Sequence, residues 1–562
     1  MKHPFAAAVA VLTALALVMG GTASLLIDDG ASSELRPFAS EAEMLSFLGS
    51  HRPVSFLDGP GGREIAAMGD AADRSGTNVQ VAGVDEGDMV KTDGQHIYIS
   101  DGLAVHIVRA GADGLQNVST ISPEGGWYIG ALYLEGGTLI VVRSHQTSHV
   151  MDAMQAPPAE ESTILSSYDV SDPTRPVLTH EVGASGWYAG SRMAGGTVYA
   201  VVQKNVWMDG RVTPPVLTRD GRAEAVKATE VMHDPSVREA SSFISLLAFN
   251  IASGESTCLT AAAPASSVMH MSPTSLYLTM ADVPRSGAKG AATAIYRFDV
   301  DGLNATLAAR GSVDGYLISQ FCMDERGGHL RVASTSGWSS PYTAVTVLDR
   351  ELKEVGKLDN IAPGESLYSC RFMGDRLYLV TAIQVDPLFV VDLSDPTSPS
   401  LRGQLKVPGI STYLQMTSHG LLGIGAENGT LKVSLFDVTG DSPLEIDTYR
   451  FDGAAYSEGQ WDHHAVLWDE RYGLLSLPVQ RWSGDGWYRP SSSLAVLSVA
   501  GGIELAGEIV HEGASVQRAL YIGDVLYSIS TTMVKASSLP DLSEEGSLTY
   551  RTAPPGWYEA AR

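Results

Sequence analysis

The sequence predicts an all-β fold, a single closed β-propeller of eight or nine four-stranded blades. Three observations carry that expectation. A unit of apolar strand, Gly or Asp turn, second apolar strand and aspartate-ended strand recurs, the aspartates being Asp169, Asp299, Asp349, Asp392 and Asp437. The last four stand about 45 residues apart, the spacing of propeller repeats. Two units also open almost identically, GWYIGALYLEGGTLIVV from Gly126 and GWYAGSRMAGGTVYAVV from Gly186, with Gly-Gly turns joining strands of alternating β-branched and aromatic residues. Strand alternation and turn signals continue through nine units, starting near residues 84, 127, 187, 266, 316, 364, 411, 459 and 515. Closing such units into a ring is favoured because an open sheet leaves unpaired backbone groups at its edge.

Taken in order, the run from Phe5 to Ile27 carries no charge and lies between Lys2 and the pair Asp28 and Asp29. As a helix rising ~1.5 Å per residue it is long enough for a hydrocarbon layer of ~30 Å. Residues 1–27 are therefore read as a signal peptide or an uncleaved membrane anchor, with Gly21 and Ala23 as small residues at a cleavage position. Lys2 precedes the run and acids follow it, which predicts export of everything after Asp28. The expected location is extracytoplasmic, secreted or held on the outer face of the membrane through this segment alone. Residues 28–76 read as a short helix over Ser40–Gly49 and then a linker. Ser40 and Glu43 have capping-box spacing, and Leu45 and Leu48 share a face. Residues 77–550 are the propeller and residues 551–562 a C-terminal tail.

The chain carries 38 basic and 64 acidic residues, a net charge of −26. Coulomb repulsion from phosphate backbones argues against nucleic acid as a partner. Three cysteines, Cys258, Cys322 and Cys370, are too few to staple a chain of 562 residues. Cys322 and Cys370 fall on innermost strands of successive blades; they are read as small buried apolar residues, a disulfide between them being the alternative.

Four insertions, His145 to Ser162, Val206 to Ser241, Val283 to Ala292 and Trp482 to Pro490, all interrupt the connection between second and third strands. Equivalent connections leave a propeller on one face, so these loops are expected to gather over one mouth of the channel. Loops on a rigid scaffold commonly carry binding function.

TNVQVAGVDEGDMVKTDGQHIYI, from Thr77 to Ile99, resembles the opening signature of the secreted β-propeller family of archaea and bacteria, distantly related to WD-repeat propellers. Further segments extend the resemblance, among them YDVSDPTRPVL at Tyr168, QFCMDERGGHLRVAST at Gln320, APGESLYSCRFMGDRLYLVTAIQVDPLFVVDLSDPTSP at Ala362 and LKVSLFDV at Leu431. The resemblance implies an exported propeller and no particular reaction or ligand. Two departures stand out. Asp462-His463-His464-Ala465 occupies the place of Asp-His-Lys-Ala, and Cys322 and Cys370 occupy places of Ser or Ala.

Candidate chemistry follows from side-chain type. Asp85, Glu86, Asp88 and Asp93 crowd enough oxygens to suggest Ca²⁺, which takes 6–8 of them. The alternative is pairing with Arg or backbone amides at the closing seam. His145, His149, Met151 and Met154 would suit a soft ion such as Cu(I). His463 and His464, on a strand, would point to opposite faces. Ser191-Arg192 and Asp324-Glu325 with Arg331 read as inter-blade ion pairs. Trp207, Trp482 and Trp487 lie in insertions and, with His145 and His149, are the candidate ligand-binding residues. No G-x-S-x-G, H-E-x-x-H or phosphate loop occurs. The expected function is non-enzymatic binding of a protein, cell-surface glycan or other envelope component. The alternatives are an extracellular polymer hydrolase or lyase and a Ca²⁺-dependent surface module.

Overall fold

The computed structural model describes residues 35–50 and 74–551, apart from residues 112–113, 125–126, 146–160, 209–210, 238–239, 283–291, 338–339, 383–385, 483–490 and 540. The N-terminal run lies outside them. Among the described residues no helix is long and apolar enough to cross a membrane.

Among the described residues nine sheets follow one another along the chain, each built on a four-stranded antiparallel meander. They cover residues 90–121, 128–185, 187–263, 266–314, 323–361, 366–407, 410–450, 454–511 and 516–549, and are called sheets 1 to 9 here. The burial of each strand follows its sequence. Second strands lie between neighbouring sheets and are apolar on both faces, as in Thr197–Asn205, where eight of nine residues are buried. Fourth strands such as Asn304–Asp314 face solvent and alternate.

Each sheet packs on the next. Sheets 4 to 8 share one apolar cluster, sheets 1 and 2 share Tyr98, Ile107, Ile129 and Leu139, and sheets 8 and 9 share Leu494, Val496, Val516 and Leu526. The ring closes where Val90, Ile97 and Ile99 of sheet 1 meet Leu520, Tyr527 and Ile529 of sheet 9. Each fully buried Leu or Ile contributes ~1.5–3 kcal/mol. Sheets 1 and 9 each consist of contiguous sequence, so closure needs no exchanged strand. A strap fastens the seam instead: Arg74 bridges Ile522, and Ser75 N–H donates to Tyr521 O at 3.0 Å.

The region before the strap holds the expected helix, and the largest insertion corrects an expectation. The helix runs over Glu41–Ser50, its start held by Glu43 N–H donating to Ser40 Oγ at 3.2 Å. It buries Met44 and Leu48 with Phe38 against Val206, Val231 and Phe243 of sheet 3 and its insertion. The insertion at residues 206–241 does not stay over the channel mouth. Val216–Arg219 pairs with the outer strand of sheet 2 and continues into Arg222–Ala225. Val231–His233 pairs with the outer strand of sheet 3 and receives Arg36–Pro37. The physical reason is edge covering: outer strands offer a row of free N–H and C=O groups, and an insertion long enough to reach them pairs there.

Candidate functional site

The stretch from Arg74 to Asp88 crosses the bore before the chain enters sheet 1. After pairing with sheet 9 it meets sheet 8, where Asn78 Nδ2 donates to His463 O at 3.1 Å and Val466 O at 3.2 Å. It then meets sheet 5, where Gln80 Nε2 donates to Gln320 O at 3.1 Å and Met323 O at 3.0 Å. Both amides serve the same local structure. The innermost strands of sheets 5 and 8 are interrupted by 3₁₀ turns, Gln320–Cys322 and His463–Ala465. Each turn is clamped across its two ends by one strap side chain. Gln80 Oε1 also lies 3.1 Å from Nδ1 of His270 in sheet 4. Asp85–Glu86 pairs with Arg192 and Met193 of sheet 3, and Asp88 bridges Leu132 of sheet 2. Gly87 sits where a Cβ would lie 2.6 Å from that of Ala131, so the strap can touch sheet 2 only with glycine there.

Charges in this bore are paired. Arg518 donates to Asp88 Oδ1 at 2.9 Å and to Asp462 Oδ2 at 2.5 Å. Lys91 Nζ donates to Asp85 Oδ1 at 2.8 Å and to Glu86 O at 2.7 Å. Glu86, fully buried, accepts from Gln80 N–H at 2.8 Å and from Gln320, with Arg192 Nη2 at 3.8 Å. Burial alone would raise Glu86, but Arg192, His464 and these hydrogen bonds hold it below the ordinary carboxylate value. Asp462 is lowered well below its usual range: its burial is outweighed by Arg518 and His464. Burial works against a charged His464 too, yet Asp88, Asp462 and Glu86 raise it. For His270 burial, with Arg192, outweighs Asp324, Glu325 and Glu86, and it falls to about 4.

His463 and His464 do not point to opposite faces. They lie on a 3₁₀ turn rather than a strand, with ring centroids 3.6 Å apart, and both Nε2 atoms stand 3.7 Å from Glu86 Oε2. These three donors come within 4.8 Å of one another. In donor type they would suit a first-row divalent ion. The charge does not fit: Glu86 already has Arg192 as counter-ion, and a divalent ion would add unbalanced positive charge beside Arg192, Lys91 and Arg518. His464, raised toward its charged form, takes the cationic place that the resemblance assigns to lysine. The four acids of the calcium reading are not brought together. Asp85 pairs with Lys91, Glu86 with Arg192 and Asp88 with Arg518. Asp93 caps its own hairpin through Gln95 and His96 N–H groups at 2.7 and 2.6 Å.

A different chemistry occupies the channel mouth. In six sheets the register shifts near the start of the innermost strand, at Gly130, Ala189, Ser267, Tyr368, Thr412 and Gln517. Such bulges bend a strand and re-aim the extra side chain. Tyr368 and Thr412, with Ser319, Phe321, Cys370, Tyr413, Gln460 and Trp461, line a cleft of about 440 Å³ that, among the described residues, holds no Asp, Glu, Lys, Arg or His. Tyr368 is 45 % exposed and Trp461 40 %. Trp461 stacks on Tyr456 at 5.8 Å, and Tyr456 on Trp482 at 6.1 Å, both pairs at 21°. Ala454 pairs with Trp482 and Ser366 with Ala382. The starts of first strands thus lie beside the ends of second strands, from which the insertions depart, and the cleft opens on the insertion-bearing face.

Of the remaining expected residues, Trp482 is 42 % exposed at the base of the sheet 8 insertion. Trp207 sits on a short hairpin pairing with Val212. His145 packs edge-on against Trp127 at 5.6 Å. His149, Met151, Met154 and Trp487 lie outside the described residues. Sequence reasoning did not single out Asn78, Gln80, Arg518, Tyr368, Tyr456 or Trp461. The available signal was the pair of amides spaced two apart in TNVQ.

Residues 74–542 match the beta propeller domain family. An uncharacterised protein of Methanocaldococcus jannaschii is 28 % identical over 534 residues, covering 81 % of this chain and 80 % of its own length. An uncharacterised protein of Archaeoglobus fulgidus is 39 % identical over 220 residues, covering 39 % and 33 %. Among solved structures, the periplasmic gluconolactonase PpgL of Pseudomonas aeruginosa aligns with a TM-score of 0.34 and 14 % identity over 55 % of this chain and 92 % of its own.

Proposed function

The chain belongs to the beta propeller domain family, and on that premise we propose that it is an extracytoplasmic, non-enzymatic scaffold whose loop-rich face binds a glycan-bearing component of the cell envelope. The carrying observation is the uncharged aromatic cleft. The half-exposed rings of Tyr368 and Trp461 line it together with Ser319, Thr412 and Gln460, which carry hydroxyl and amide groups. Aromatic faces flanked by neutral hydrogen-bonding groups suit sugar rings, whose C–H faces are apolar and whose edges carry hydroxyls. Among the described residues the lining carries no carboxylate and no histidine, the groups most often used in general acid–base cleavage, which favours binding. Export is supported by the uncharged run from Phe5 to Ile27 behind Lys2.

An array of neutral and acidic glycans probed with the full chain, with released products assayed in parallel, tests this. Binding to neutral glycans without product release is expected, weakened about tenfold in Trp461→Ala, the loss of roughly one stacking contact. Product release overturns the non-enzymatic reading, and undiminished binding by Trp461→Ala overturns the cleft.

A further inference from the structure

We propose that Cys322 and Cys370 form a disulfide that ties sheet 5 to sheet 6 beneath the cleft. Cys322 ends the 3₁₀ turn Gln320–Cys322, and Cys370 lies on the innermost strand Ser366–Met373 of the next sheet. Their Sγ atoms stand 3.5 Å apart across the inter-sheet boundary. A bonded pair needs ~2.05 Å, so the sulfurs must close a gap of about 1.5 Å. The alternative orientation is already held lightly, since the Cys370 thiol donates to Phe321 O at 3.3 Å, a weak bond.

The surroundings favour reaction at this pair over the third cysteine. Cys370 borders the cleft and is 3 % exposed. Cys322 is fully buried behind it. Burial works against the Cys322 thiolate, but the Cys370 thiol and the backbone at Ser319 and Ile318 outweigh it and hold Cys322 below the ordinary thiol value, while burial and Cys322 push the Cys370 thiol well above it, so Cys322 is the thiolate of the pair. Cys258, in sheet 3, has Thr260 Oγ1 at 3.7 Å, and burial pushes it up to about 11.

The oxidant is a disulfide, either low-molecular-weight or carried by a thiol–disulfide exchange protein. One thiolate of the pair attacks it, forming a mixed disulfide and releasing one thiolate. The second cysteine, losing its proton, attacks the mixed disulfide at the protein sulfur and releases the other. Two electrons and two protons pass from the cysteine pair to the oxidant, which leaves as two thiols. Nothing in this chemistry depends on what the cleft binds, so it stands or falls apart from the glycan reading.

The test treats the native full-length chain with oxidised glutathione, then alkylates it in denaturant and maps peptides by mass spectrometry. A peptide pair joined through Cys322 and Cys370 with two hydrogens lost, and Cys258 alkylated, is expected. The joined loop spans 48 positions, so the oxidised protein should melt a few degrees above the reduced one. That shift should vanish in Cys370→Ser. Because the first readout uses the unmodified sequence, misfolding of the variant leaves the proposal falsifiable. Quantitative alkylation of both cysteines after oxidation, or glutathione retained on Cys370 without ring closure, overturns it.

Discussion

The bore and the cleft are built from the same innermost strands yet have opposite chemistries. In the bore, charge is dense and almost wholly buried: Glu86, Asp88, Arg192 and Arg518 are each at most 7 % exposed, and each has a partner of opposite sign. At the mouth, Tyr368 at one of the bulges and Trp461 beyond the Glu458–Gln460 turn are uncharged aromatics, 45 % and 40 % exposed. The difference teaches which region is structure and which is surface. Buried charge persists only where partners satisfy it, which makes the bore rigid and sensitive to any lost partner. Exposed aromatics held by a scaffold gain by covering, which makes the mouth the place for a ligand.

The comparison is broken most forcefully by removing a bore cation. Arg518→Ala leaves Asp88 and Asp462 buried without their guanidinium, and a loss of ~3–5 kcal/mol in the urea unfolding free energy is expected. A loss below about 1 kcal/mol would mean that water or strap movement relieves the acids and that the bore is not a closed network.

A pH series sharpens the picture. His464 is raised above its ordinary 6.5 by the surrounding acids, outweighing burial. Its contribution to stability is therefore fully present below about 6.5 and is lost as pH rises through the higher folded value. Glu86 and Asp462 act in the opposite sense: their contribution is present above the ordinary carboxylate range and is lost as pH falls through their depressed values. Melting temperature should thus fall at both ends. His464→Lys should abolish the decline on the alkaline side of neutrality and leave the acid limb. An unchanged alkaline limb would remove His464 from the network.

The smallest effect belongs to the mouth. Trp461→Ala gives up a half-exposed ring and its stack on Tyr456, and a stability change of no more than about 1 kcal/mol is expected by thermal melting. A change as large as that of Arg518→Ala would make the aromatic stack part of the core and erase the contrast between the two regions.

The radial β architecture was legible because strand alternation, Gly and Asp turns and the repeated aspartate are local signals, set by backbone sterics and by which face each strand buries. The shared connection used by the insertions was legible for the same reason. The strap was not, because Asn78 and Gln80 act on carbonyls of residues 463, 466, 320 and 323, partners hundreds of positions away. Nor was the convergence of His463 and His464, since a 3₁₀ turn replaces the strand that alternation implies. The insertion at residues 206–241 could be located in the chain but not followed to the rim, where free strand edges elsewhere in the ring recruit it.

The sequence by itself determined a ring of four-stranded sheets, its order and the face from which its long loops leave, because those follow from periods of two and about 45 written along the chain. Only the tertiary structure decided that the acids after Val84 neutralise arginines, lysine and histidine rather than gather together, that two cysteines meet, and that an uncharged aromatic cleft opens at the mouth. The physical reason is that pairing of charges, approach of sulfurs and exposure of rings depend on distances through space, which closure of the ring alone brings about.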